Sequence, residues 1–264
     1  MKKIISLMLV ILMLASSMLM ISCFNDDDDD DDDSTKINAK SEIKSAIEKM
    51  ETVDSYTGTS SLAIDVKSQG ITVTLEMNYA IKMADLLTDP KRYADVSITS
   101  FGVAETGVIY TEGEWDYVVA GNEKYKARVE EDNDASFSEL ADSIYTNAKT
   151  ETVSGETHIK LSFTNEQFFE YFPSTLDAVL ILFEFEDMKD YMTISDASIK
   201  FVLDKNGYVT KQEMDFNVIV SYEGEVVELK VSNVSTYGEF NKPVTITPPE
   251  GYQNFMERTG GDIL

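Results

Sequence analysis

The sequence predicts an α+β protein built on one large, strongly curved antiparallel sheet of about eleven strands, with helices across one face. Two observations predict the sheet: apolar residues recur at every second position through most of the chain after Thr52, and short glycine-containing turns separate these segments. A third predicts the helices, because three or four stretches carry helical spacing instead.

The chain opens with Met1-Lys2-Lys3 and an apolar run from Ile4 to Ile21, broken only by Ser6, Ser16 and Ser17. A basic start, an apolar middle and a small residue before a cut are the parts of a secretory signal. Ser22 and the only cysteine, Cys23, follow. This arrangement resembles the lipobox of bacterial lipoproteins, with Met20 where leucine is usual and Ile21 where a smaller residue is usual. The resemblance implies a signal peptide over residues 1–22 and lipidation of Cys23. An uncleaved anchor is the competing reading, since the run just suffices to span a bilayer. Carboxylates rather than basic residues follow the run, which suits a translocated side. Two acyl chains anchor stably. The expected location is therefore the extracytoplasmic face of a cell membrane, with that membrane as partner through Cys23. The run Asp26–Asp33 reads as a self-repelling spacer within residues 23–37. A calcium loop would alternate its ligands around a glycine turn, and this run does not.

With 48 acidic against 22 basic residues, the chain lacks the basic face that nucleic acid requires. One cysteine allows no intrachain disulfide, so apolar burial has to hold the fold together.

The folded domain is expected over residues 38–252, with a tail at 253–264. Ala39, Ile43, Ala46, Ile47 and Met50 fall at helical spacing behind a candidate N-cap, Asn38. Leu62, Ile64 and Val66 then alternate, and Ser68-Gln69-Gly70 turns into the clearest strand. There Ile71, Val73, Leu75, Met77, Tyr79, Ile81 and Met83 share one face. Strands follow at about Tyr93–Ser100, Val103–Thr111, Glu114–Ala120 and Glu123–Val129. Trp115, Tyr117 and Val119 alternate as core or sheet face. Lys124, Lys126 and Arg128 read as the solvated face of the last of these strands.

A second helix is expected from the stripe Phe137, Leu140, Ala141, Ile144, Tyr145 and Ala148, opened by Ser136 and Glu139 at capping-box spacing. A hairpin at Ser154-Gly155 leads into His158–Phe163. Thr164 and Gln167 have capping spacing before Phe168, Phe169, Tyr171 and Phe172. Pro173 interrupts, and Ser174 and Asp177 reopen a helix that is apolar nearly all round: Leu176, Val179, Leu180, Ile181, Leu182, Phe183. Strands resume at Ile199–Leu203, Tyr208–Tyr222 and Val227–Tyr237, and Pro243 with Pro248 confines Val244–Thr247 to an edge strand.

An amphipathic helix ending near Val53-Asp54-Ser55-Tyr56 thus precedes long Met-, Tyr- and Val-rich hairpins and a final Val244-Thr245-Ile246-Thr247-Pro248-Pro249. This pattern, over roughly residues 38 to 252, resembles the uncharacterised Gram-positive surface lipoproteins related to the LolA, LolB, LppX and LprG lipoprotein and lipid carriers. The resemblance implies an open half-barrel whose concave apolar face, lidded by helices, holds acyl chains, with the helix from Ser174 as lid. On that reading Val73, Leu75 and Met77 floor a ligand cavity that Phe168, Phe169, Phe172, Leu176, Val179, Leu180 and Phe183 enclose.

Catalytic patterns are missing. His158 is the sole histidine and reads as a surface residue, which excludes a His-rich zinc site. No Gly-x-Ser-x-Gly elbow or phosphate-binding glycine loop occurs. The expectation is a protein without enzymatic activity, cofactor or metal that binds or carries a lipid or acyl chain. The alternative is a surface interaction or sensory module with a solid core.

Overall fold

A computed structural model describes residues 38–129, 137, 140–183 and 185–258. The signal segment, Cys23, the aspartate run, Ser136 with Glu139 and residues 259–264 lie outside the described residues. In chain order the elements are α1 (Ala39–Glu51), β1 (Tyr56–Ser68), β2 (Ile71–Ala84), β3 (Lys91–Ser100), β4 (Val103–Glu112), β5 (Trp115–Ala120) and β6 (Glu123–Arg128). Then come α2 (Asp142–Thr146), β7 (Lys149–Val153), β8 (Glu156–Ser162), α3 (Asn165–Tyr171), α4 (Pro173–Leu182) and a 3₁₀ segment, Glu186–Tyr191. Three long strands, β9 (Met192–Leu203), β10 (Val209–Tyr222) and β11 (Glu225–Gly238), precede a short 3₁₀ turn and β12 (Met256–Glu257).

These strands form one open sheet in the order β12-β6-β5-β4-β3-β2-β1-β11-β10-β9-β8-β7. Two antiparallel meanders, β1–β6 and β7–β11, are joined where β1 pairs with β11. The expected curved α+β sheet with helices across its concave face is what forms. Hairpin chemistry explains the order. Four two-residue loops, Gln69-Gly70, Phe101-Gly102, Ser154-Gly155 and Glu223-Gly224, hold both residues at positive φ. That is the twist-matched hairpin turn, which costs glycine little and other residues more.

Phe101 stands out among them. Three of the four turns open with a polar residue, whereas Phe101 combines positive φ with 81% exposure. Asparagine tolerates that backbone and leaves no apolar ring in water. Phe101→Asn is expected to stabilise the protein by about 0.5–1 kcal/mol, read as a higher urea midpoint with an unchanged slope. A lower midpoint would show that the ring makes a contact worth more than the strain.

Burial follows the pleat. Phe216, Val231, Ile64 and Leu75 are cross-strand neighbours on the covered face, as are Met214, Asn233, Leu62, Met77 and Ile98. The α3 ring of Phe168 lies 4.6 Å from that of Phe216, and α1 adds Ile43, Ala46, Ile47 and Met50 to the same core. Asn38 caps α1 by accepting from the backbone N–H groups of Lys40 and Ser41. Thr164 and Gln167 make the expected capping box.

Several expectations need correction. Pro173 does not separate α4 from its start; it is the first helical residue, where its missing N–H costs nothing. The second helix is only five residues long, and Ala141 supplies no side-chain cap. Val244–Thr247 makes no ladder, while Met256–Glu257 pairs parallel with β6. The described start of the segment read as a tail therefore docks: Phe255 packs on Tyr117, as does Tyr252 just before it, which also meets Tyr110.

Candidate functional site

Three places on the sheet carry unusual chemistry. The first is on the concave face. Leu75, Met77, Phe168, Phe172, Leu176, Val179 and Leu180, all placed in the ligand cavity by sequence reasoning, are buried in one continuous core. Met77, Phe168, Val179 and Leu180 offer no surface that a water molecule could touch. Val73, Phe169 and Phe183 are only half-buried. Val73 pairs with half-buried Val66, and the next row of the covered face holds Ile71, 68% exposed, and half-buried Val227. This apolar strip runs across β2, β1 and β11 towards β10. There the 3₁₀ segment docks, with the Tyr191 and Tyr222 rings 4.8 Å apart. Phe183, Phe185 and Met188 are half-buried against the same core.

The second place is a polar row at the other end of the covered face. Arg92, Thr111 and Asp116 are direct cross-strand neighbours on β3, β4 and β5. Thr111 Oγ1 donates to Asp116 Oδ1 at 2.5 Å, and Arg92 reaches the same oxygen at 3.3 Å. The side chains are 1% exposed for Asp116 and 12% for Arg92. Burial pushes the Asp116 carboxyl above its ordinary value, against the opposing pull of Arg92 and Thr111. Nearby, Ser60, Asn233 and Ser235 hydrogen-bond one another across β1 and β11. Tyr237 in the same region is pushed up to about 12 by burial.

Sequence reasoning missed Asp116 because β5 is apolar on both faces. Trp115, Tyr117 and Val119 alternate, yet Asp116 and Val118 take the buried side. The bulky row lies on the opposite face, where Lys126 stands 4.1 Å and Arg128 5.0 Å from the Trp115 ring centre. The basic row of β6 therefore covers an aromatic as well as facing solvent. His158 is also more enclosed than expected, with a side chain 16% exposed between Glu151 and Glu156.

The third place is on the helix-free face, a cleft of about 730 Å³ across β1–β5. One wall is the row Ser61, Asn78, Ser97 and Thr106; the other runs through Thr59, Ala80, Asp95, Val108 and Val119. Nothing in the sequence distinguishes these residues from any wet strand face.

Among the described residues no group of three His, Cys, Asp or Glu side chains could hold a metal ion. No described helix is long and apolar enough to cross a membrane.

No family model matches this chain, and no curated protein does. Among solved structures it is similar to a DUF1329 family protein from Desulfovibrio piger, at 10% identity and a TM-score of 0.26, over 80% of this chain and 96% of that one. It is also similar to a bifunctional dehydratase-cyclase domain in ambruticin biosynthesis, at 8% identity and a TM-score of 0.15, over 75% and 79% of the two chains. A third is the dehydratase domain from the CurH module of curacin polyketide synthase, at 9% and 0.14, over 68% and 77%. At these scores none carries an argument about activity.

Proposed function

We propose that this protein is a lipid-anchored, non-enzymatic protein of the extracytoplasmic membrane face that binds a single apolar chain along the strip across β2, β1 and β11. The observation that carries the reading is two adjoining rows of half-buried and exposed apolar residues, Val73 with Val66 and Ile71 with Val227, beside the buried core. Apolar surface of this kind is costly in water, roughly 25 cal/mol per Å². An acyl chain laid along it would remove that cost without opening the core. Ser22-Cys23 after an apolar run supports the anchor.

Mass spectrometry of membrane-extracted protein is expected to show diacylglycerol on an N-terminal Cys23. In protein released from the membrane by Cys23→Ser, a fluorescent fatty acid is expected to bind saturably. Val73→Glu, at a half-buried position, is expected to weaken that uptake at least about tenfold, or 1.4 kcal/mol, with little change in melting temperature. A parent protein that takes up no fatty acid would replace the carrier with a solid-core interaction module.

A further inference from the structure

We propose that the cleft on the helix-free face is a binding site for a neutral, extended polyhydroxyl chain, an oligosaccharide strand. This site lies on the opposite face of the sheet from the apolar strip and is independent of it.

The walls define the chemistry. Ser61, Asn78, Ser97 and Thr106 sit directly opposite one another on four consecutive strands, β1 to β4. Among the described residues none of these four side chains hydrogen-bonds to the protein, so each keeps a donor and an acceptor to offer. Neighbouring strands stand about 4.8 Å apart, which spaces the ladder regularly along the cleft. An extended β-linked sugar chain advances by a similar distance per ring. Opposite the ladder, Ala80, Val108 and Val119 supply an aliphatic surface for the C–H face of a sugar. Asp95 lies among them and accepts a hydrogen bond from Tyr93 through Oδ1 at 3.1 Å. Its second oxygen adds an acceptor of the kind that sugar hydroxyls use.

Other ligand classes fit less well. Charged residues make up 27% of the chain, yet Asp95 is the one charged residue lining the cleft. An anion would meet that carboxylate and a chain of net charge −26. An apolar chain would strip water from the hydroxyl ladder without replacing its hydrogen bonds. An extended peptide gains most of its affinity by pairing with a free sheet edge, and the strands of the cleft, β1 to β5, each already have both neighbours.

The test uses the full chain with cellohexaose and chitohexaose as probes, titrated by calorimetry. At least one hexasaccharide is expected to bind in the millimolar range or tighter. Asn78→Lys and Thr106→Lys, both at exposed positions, are expected to weaken it at least about tenfold. Their melting temperatures and fatty-acid uptake should match the parent. Binding of neither sugar at millimolar concentration would overturn the proposal, as would binding that survives both substitutions. An uncharged serine hexapeptide that binds the cleft more tightly than either sugar would overturn it as well. Loss of fatty-acid uptake alone bears on the apolar strip and leaves this site standing.

Discussion

Arg92→Met is expected to destabilise the protein by about 3–5 kcal/mol at pH 8, because it leaves a buried carboxylate without its counter-charge. Asp116 is almost fully enclosed, and Arg92 and Thr111 share one of its oxygens, while Asp116 Oδ2 has no partner among the described residues. The pH dependence gives the test its sign. Burial raises the Asp116 carboxyl above its unfolded value, so the folded protein binds that proton more readily than the unfolded chain. The group's contribution is most favourable below the unfolded value and is lost as pH rises through the folded one. Removing Arg92 raises the folded value further and carries the loss towards neutral pH. The gap between parent and variant, from urea unfolding, is therefore expected to be smaller at pH 5 than at pH 8. Asp116→Asn should remove most of this pH dependence. A gap equal at both pH values would mean that Asp116 is not the group responsible.

Much of this fold was legible because its local signals agree with one another. The turns at Gln69-Gly70 and Glu223-Gly224 sit between strands whose period-2 patterns point the same way, so turn and pattern enforce one register. The caps at Asn38 and Thr164 are short-range geometry, which a sequence can specify alone. Legibility fails where tertiary context decides. In β5, alternation marks Trp115, Tyr117 and Val119 as well as any core row, yet the sheet buries Asp116 and Val118. What makes the bulky row acceptable on the other face is the return of Tyr252 and Phe255 from more than a hundred residues away. The docking of Met256–Glu257 beside β6 has no periodic signature, because two residues cannot show a period. The cleft is harder still. Ser61, Asn78, Ser97 and Thr106 become a ladder only once four strands adopt a particular register. The ten residues assigned to a ligand cavity divide into seven buried and three half-buried, because apolar periodicity marks neither depth of burial nor whether a core is filled or encloses a hollow.

Leu180→Ala is expected to cost about 2–5 kcal/mol, and it separates those two possibilities when paired with Leu180→Trp. Leu180 lies in α4 with no surface open to water, packed in the core with Leu176, Ala178 and Val179. Truncation removes apolar contacts and leaves a space that rigid neighbours on the sheet cannot collapse to fill. For a domain of this size, 1 kcal/mol corresponds to roughly 2–4 °C, so the expected loss in melting temperature is about 10 °C. A solid core also rejects the larger ring, and Leu180→Trp is then expected to lose about 1–3 kcal/mol or more through overpacking. Ile181, half-buried on the same helix, serves as the internal comparison. Ile181→Ala should cost clearly less than Leu180→Ala, because part of its surface is already in water. If the tryptophan variant keeps the parent's stability while fatty-acid uptake disappears, an unfilled space lies under α4. The ligand then belongs beneath the helix rather than along Val73, Val66 and Val227. If tryptophan destabilises and uptake survives in the folded fraction, the chain binds at the strip and α4 is a wall of the core.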